Sequence, residues 1–233
     1  MKTLDFFQIW FEDSQQKHLY DFATPYYNEQ LTPYFENSII ADLALESNAD
    51  LIGIASWRLK QKRQSLPAHR VLKCTAGTDF SREKIISANF DVAILTPMMP
   101  KHRMLLTGLH SYRERWTSAF GILSGFLNDV LSMDIPQEVS YPVYGNHFIA
   151  TREIYREYVS ECLIPTLDFM ETEKLIFHQD SGYSSKKANT LGLQSVKAYQ
   201  EKSGCIDWPI APFLLERLFS LWIEHQHLKV VNL

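Results

Sequence analysis

Three short stretches carry side chains that could do chemistry together. The run 50–58, DLIGIASWR, places an apolar segment directly before Ser56, Trp57 and Arg58. Arginine has a permanent charge and a planar fork of donors that matches the oxygens of a diphosphate. Tryptophan offers a flat face for a base or a sugar ring. The same pair also fits plain packing, with the indole under a loop and a surface arginine beside it. In YGNHF, 144–148, a turn leads into an apolar stretch through Asn146 and His147. These two could hydrogen-bond sugar hydroxyls or a phosphate, or could serve only the turn and the core. In FLLERLFSLW, 213–222, Glu216 and Arg217 stand among Leu214, Leu215, Leu218, Leu221 and Trp222. An isolated charge in so apolar a segment costs several kcal/mol, so both need partners. Glu216 suits a general base or a hydroxyl-binding group, or an ion pair with Arg217 or Arg58.

Other chemistries find little support. There is no Walker-type loop, no Gly-x-Gly-x-x-Gly and no Gly-x-Ser-x-Gly, and the chain has 9 glycines. A glycine-cradled phosphate is therefore not expected. No Asp-x-Asp occurs. Glu171-Thr-Glu173 reads as an exposed helix end, and His225-Gln-His227 reads as solvated rather than as a metal site. Cys74, Cys162 and Cys205 are far apart, with no Cys-x-x-Cys, which fits reduced thiols in a cytosolic protein. A net charge of -4 speaks against a general nucleic-acid binder. The one dense basic run, Arg58-Leu59-Lys60-Gln61-Lys62-Arg63, reads as a solvated loop as readily as a binding face. The N-terminus lacks the pattern of a signal peptide. No apolar run approaches the roughly 20 residues that span a bilayer, so any membrane contact is expected to be peripheral.

The elements that must position these groups alternate. Strands are expected at 4–11, 51–55, 92–95, 147–150 and 229–231. Helices are expected from Thr32-Pro33 to a stop at Asn48, over 82–88 behind an Asp79 or Ser81 cap, over 116–131, from a Thr151 cap to a disturbance at Pro165, and from Pro212 to about 224. Such alternation predicts an α/β fold with a mainly parallel central sheet and helices on both faces. Ligands of such sheets sit beyond the carboxyl ends of the strands. The whole chain, 1–233, reads as one domain. The polar segment 181–204 is the candidate mobile loop.

The pieces in this order resemble the glycosyltransferase-like proteins encoded in bacterial capsule and lipopolysaccharide gene clusters, many of them domains of unknown function assigned to the GT-A fold. An acidic-polar helix, a D-hydrophobic-G-hydrophobic strand and an aromatic-Arg pair are similar to 36–58 here. A helix followed by D-V-hydrophobic-L-x-P is similar to 84–97. An Asn-x-Phe-Ile strand leading into an E-I-hydrophobic-x-x-Y helix is similar to 146–158, and hydrophobic-x-E-R-L matches 214–218. The chain departs from the pattern at Ser56 and Leu59, where family members commonly carry a His and a second Arg, and in lacking Asp-x-Asp.

The resemblance implies a GT-A-like fold and sugar transfer from a nucleotide-sugar donor to a glycan or lipid-linked acceptor, in the cytoplasm or at the inner membrane face. It implies Glu216 as catalytic base and Trp57, Arg58, Asn146, His147 and Arg217 as donor-binding residues. Arg58, with Arg217 or Arg103, would stand in for the usual divalent metal, whose involvement stays open. The departures keep a second reading in play, a catalytically inactive GT-A-fold glycan-binding or scaffold protein.

Overall fold

A computed structural model describes residues 2–29, 34, 36–65, 80–96, 117–136, 139–143, 145–175 and 211–233. The expected helix start at Thr32-Pro33, Arg103 and the segment 181–204 lie outside the described residues.

The described elements are β1 (Leu4–Trp10), a 3-10 helix (Asp13–His18), β2 (Thr24–Tyr27), α1 (Asn37–Glu46), β3 (Leu51–Ser56), α2 (Arg58–Ser65), α3 (Arg82–Ser87) and β4 (Val92–Ile94). Then follow α4 (Thr117–Asp129), β5 (Phe148–Thr151), α5 (Arg152–Glu157), a π-helical stretch (Tyr158–Leu163), α6 (Ile164–Thr172), α7 (Ala211–Gln226) and β6 (Val230–Asn232). The fold is α/β, and its strands form one six-stranded sheet in the order β2-β1-β3-β5-β4-β6. The sheet is mixed rather than mainly parallel. β1 pairs in parallel with β2 and β3, and β4 with β6, but β5 runs against both β3 and β4. The reversal corrects the expectation drawn from alternation, which carries no sign for a single reversed strand.

Successive strand residues point to opposite faces, and β3 is buried on both. On one face Ile52, Ile54, Phe148, Ala150, Val92 and Ile94 meet α1, α4, the Arg152–Thr172 rod and α7. On the other, Leu51, Ala55, Ala93 and Ile149 meet Leu59 of α2 and Ile85 of α3. Helices thus cover both faces, as alternation predicts. Among the described residues no helix is long and apolar enough to cross a membrane.

Local signals explain most boundaries. Ser81 caps α3, its hydroxyl accepting from the Lys84 amide at 3.4 Å. Thr151 begins α5 without a side-chain cap bond. Pro165 does not end the helix. It has no N–H for the Glu161 carbonyl and its ring crowds that carbonyl, and the rod widens into π register just before it. The basic run is not a loop but α2, with Leu59 fully buried beneath it. Two of its cations are tied down. The Lys60 ammonium donates to the Leu19 carbonyl at 3.3 Å, and the Arg63 guanidinium donates to the Leu95 and Leu233 carbonyls at 2.6 Å each.

Gly53 sits between Phe6 of β1 and Ile149 of β5 in register. A Cβ there would lie 2.5 Å from Phe6 Cδ2 and 2.8 Å from Ile149 Cγ1. Both obstacles are packed core atoms rather than flexible tips. Gly53→Ala is therefore expected to cost about 1–3 kcal/mol by overpacking. Denaturant unfolding checks this, and a loss well under 1 kcal/mol would show that the sheet spreads to admit the methyl.

Candidate functional site

Ser56 ends β3 in register with Ile9 of β1. The chain then turns through Trp57, whose amide donates to the Ile9 carbonyl at 2.9 Å. Arg58 opens α2. Ser56, Trp57 and Arg58 thus lie at the carboxyl end of a buried strand, where the sequence puts them. The Trp57 ring is half-buried. It has the His18 ring 5.8 Å away and the exposed Arg58 guanidinium 5.2 Å from its centroid.

β5 runs the opposite way, so the residues just before it arrive at this same end of β3. His147 is completely buried, and its Nε2 lies 3.0 Å from Ser56 Oγ. Its carbonyl accepts from the Leu95 amide at 2.9 Å, and its Nδ1 has no hydrogen-bond partner among the described residues. Burial, first, and then the nearby charges of Lys62, Arg58 and Arg63 hold its pKa well below the ordinary 6.5, so the imidazole is neutral near pH 7.

Asn146 takes a left-handed conformation, φ 56°, and donates its amide to Asn37 Oδ1 at 3.0 Å. Asn37 in turn donates to the Tyr34 carbonyl at 2.9 Å. Asn146 therefore joins the turn before β5 to the start of α1, the structural part its sequence allowed. Gly145, with φ 64°, also needs the left-handed region.

The buried apolar side of α7 fixes Glu216 and Arg217, both partly buried. Glu216 forms no ion pair with another described residue, so the expected pairing with Arg58 or Arg217 is not made. Its charge acts instead on Lys62 and Glu36. Arg217, about 100° further round the helix, does not appear among the charges acting on His147, Lys62 or Glu36.

The structure therefore places Arg58 and His147 in the neighbourhood of Lys62, on which Glu216 also acts, and it gives parts to three groups to which the sequence assigns none. Ser56 holds His147. Glu36, at the start of α1, has its carboxyl pKa raised by burial and then by Glu216, against the lowering effects of its own amide, Lys62 and Arg58. Lys62 has its ammonium pKa lowered from 10.5, mainly by burial, with Arg58 adding to the effect and Glu216 and Glu36 opposing it. Lys62 was findable. It stands four residues after Arg58, and once the basic run is a helix the two share a face. Glu36 had no such signal in its polar surroundings.

The described residues contain no group of three or more His, Cys, Asp or Glu side chains able to hold a metal. Glu36 and Glu216 act on each other here, with the Lys62 and Arg58 cations beside them, and two carboxylates fall short of a donor set for the divalent ion usual in GT-A enzymes.

The neutral state of His147 has a consequence for stability. Its folded pKa lies below its unfolded value, so below pH 6.5 the unfolded chain binds the extra proton. Stability is therefore full above that pH and falls as pH drops through it. Thermal unfolding of wild type and His147→Gln from about pH 7.5 to about pH 5 should show the wild type losing more than the variant. A constant difference between them would mean that the imidazole charges freely in the fold.

Comparison of the chain with protein-family models, curated proteins and solved structures gives no match.

Proposed function

We propose that this chain is a glycosyltransferase of GT-A-like fold that moves a sugar from a nucleotide-sugar donor to a glycan or lipid-linked acceptor, on the cytoplasmic side of a bacterial surface-polysaccharide pathway. One observation carries the reading. Arg58 and His147, far apart in sequence, both lie at the carboxyl end of β3, and Lys62, whose charge acts on His147, is acted on in turn by Glu216 and Glu36. The family resemblance of the motifs supplies the reaction class.

In this reaction the bond from the anomeric carbon to the diphosphate oxygen breaks, and both electrons leave with the diphosphate. Arg58 stabilises that charge with fixed donors. The anomeric carbon gains oxocarbenium character. The acceptor oxygen bonds to it from the opposite side, and the acceptor proton passes to Glu216. His147, held by Ser56, remains an uncharged hydrogen-bonding group that orients the donor, and the Trp57 face stacks on the base or sugar.

Calorimetric titration with uridine and guanosine diphosphates, with and without Mn²⁺, tests this. One nucleotide should bind, and Arg58→Ala should weaken it by about 10- to 100-fold, the loss of a charge-assisted contact. Failure of both nucleotides in every metal condition sinks the proposal for these donors. The internal bonds of Asn146 and His147 favour one second reading, a protein that binds glycan without transferring sugar. It is distinguished by glycan binding without turnover of any nucleotide sugar.

A further inference from the structure

Lys62 is a charged group at this site to which the transfer reaction gives no part. Its ammonium makes no hydrogen bond and no ion pair with any described residue, although Glu36 and Glu216 act on it electrostatically. Its seat is specific. The position a Cβ would take on Gly145 lies 2.8 Å from Lys62 Nζ, and 3.2 and 3.3 Å from His147 Cε1 and Nε2. The ammonium and the imidazole therefore crowd around the bare Cα of one glycine. Ser56 Oγ is 3.0 Å from that same Nε2. α2 delivers Lys62 one turn after Arg58, on the same side of the helix.

A cation held by burial and packing, beside a hydroxyl–imidazole pair and near a second cation, suits a tetrahedral oxyanion. We propose that Lys62, seated over Gly145 beside the His147–Ser56 pair, binds a phosphoryl oxygen of a diphosphate and is, with Arg58, the second cation for that group. This deepens the donor-binding reading and rests on it for the identity of the full ligand. The seat itself can be tested apart from any nucleotide or sugar.

The probe is inorganic pyrophosphate, titrated calorimetrically into the full chain without metal, followed by uridine and guanosine diphosphates. Wild type should bind pyrophosphate. Lys62→Gln should bind it at least about 10-fold more weakly, the loss of one charge-assisted hydrogen bond, whereas Lys62→Arg should keep most of the affinity. Gly145→Ala is the second variant. It leaves every charge in place but puts a methyl where the ammonium sits, in a backbone conformation that disfavours it, and it too should lose affinity. It decides the matter if Lys62→Gln does not fold. Wild type that fails to bind pyrophosphate overturns the proposal, as do Lys62→Gln and Gly145→Ala proteins that bind like wild type. Pyrophosphate binding through Lys62 with neither nucleotide bound leaves the seat standing and removes the donor reading. Nucleotide-sugar turnover unaffected by Lys62→Gln does the reverse.

Discussion

Glu216→Gln is expected to lower sugar transfer by about 10²- to 10⁴-fold, the usual contribution of a positioned general base, while leaving the protein folded. Glutamine keeps the size and hydrogen-bonding reach of glutamate but cannot take the acceptor proton. The fold should tolerate the change because Glu216 makes no ion pair with another described residue. Its role in the structure is electrostatic, supporting the Lys62 ammonium and holding up the pKa of Glu36. Removing that charge should let Glu36 ionise more easily, so residual activity should show an altered acid limb in its pH profile. The thermal midpoint should change by less than about 4 °C, the upper end of what 1 kcal/mol produces in a chain of this size. An unfolded variant would show that Glu216 is a structural charge. Full turnover in a folded variant would show that another group takes the proton.

Much of the scaffold behind this site was legible, because its signals are local. The LIGIA and VAI runs are buried strands, Ser81 caps its helix, and Pro212 lies in the first turn of α7. What stayed hidden depended on distance in sequence. The reversal of β5 is decided by its pairing with β3 and β4, and it alone carries His147 to Ser56, 91 positions away. α2 was obscured because six mostly charged residues have little apolar periodicity, and their one buried leucine, Leu59, is a thin signal. β2 is an exposed edge strand, TPYY, with no inward face to betray it. Trp57, Arg58, His147 and Glu216 were visible as candidates by residue type. Of their company, Ser56 stands next to Trp57 and Lys62 one helical turn after Arg58, whereas the arrival of Glu36 was set by tertiary packing that no spacing encodes.

Phe219→Ala should be the most damaging single truncation near the site, costing about 3–5 kcal/mol of the 5–15 kcal/mol typical of a folded domain. Phe219 is completely buried. Its ring stacks on Phe148 with centroids 3.5 Å apart and an 8° tilt, and meets Tyr158 edge-on at 4.8 Å. Phe148 stacks in turn on Tyr155 at 4.9 Å. One phenyl ring thus joins α7, β5 and the Arg152–Leu163 part of the rod, and alanine would leave a cavity that three rigid aromatics cannot collapse to fill. Denaturant unfolding should show a lower midpoint with an unchanged slope. A loss under about 1 kcal/mol would mean that α7 is not seated on β5 through this ring. The functional consequence separates the two halves of the site. Phe219 lies three residues after Glu216, and Phe148 directly follows His147, so loosening this contact shifts the base relative to the imidazole. Lys62, Gly145, His147 and Ser56 belong to α2, β3 and the approach to β5, and that approach keeps its own bonds to α7, the Val143 amide donating to Ser220 Oγ at 2.8 Å and the Tyr141 amide to Glu224 at 3.3 Å. At a temperature where the variant remains folded, transfer should fall while pyrophosphate affinity holds. If both fall together, α7 also shapes the anion seat, and Glu216 reaches it through Lys62.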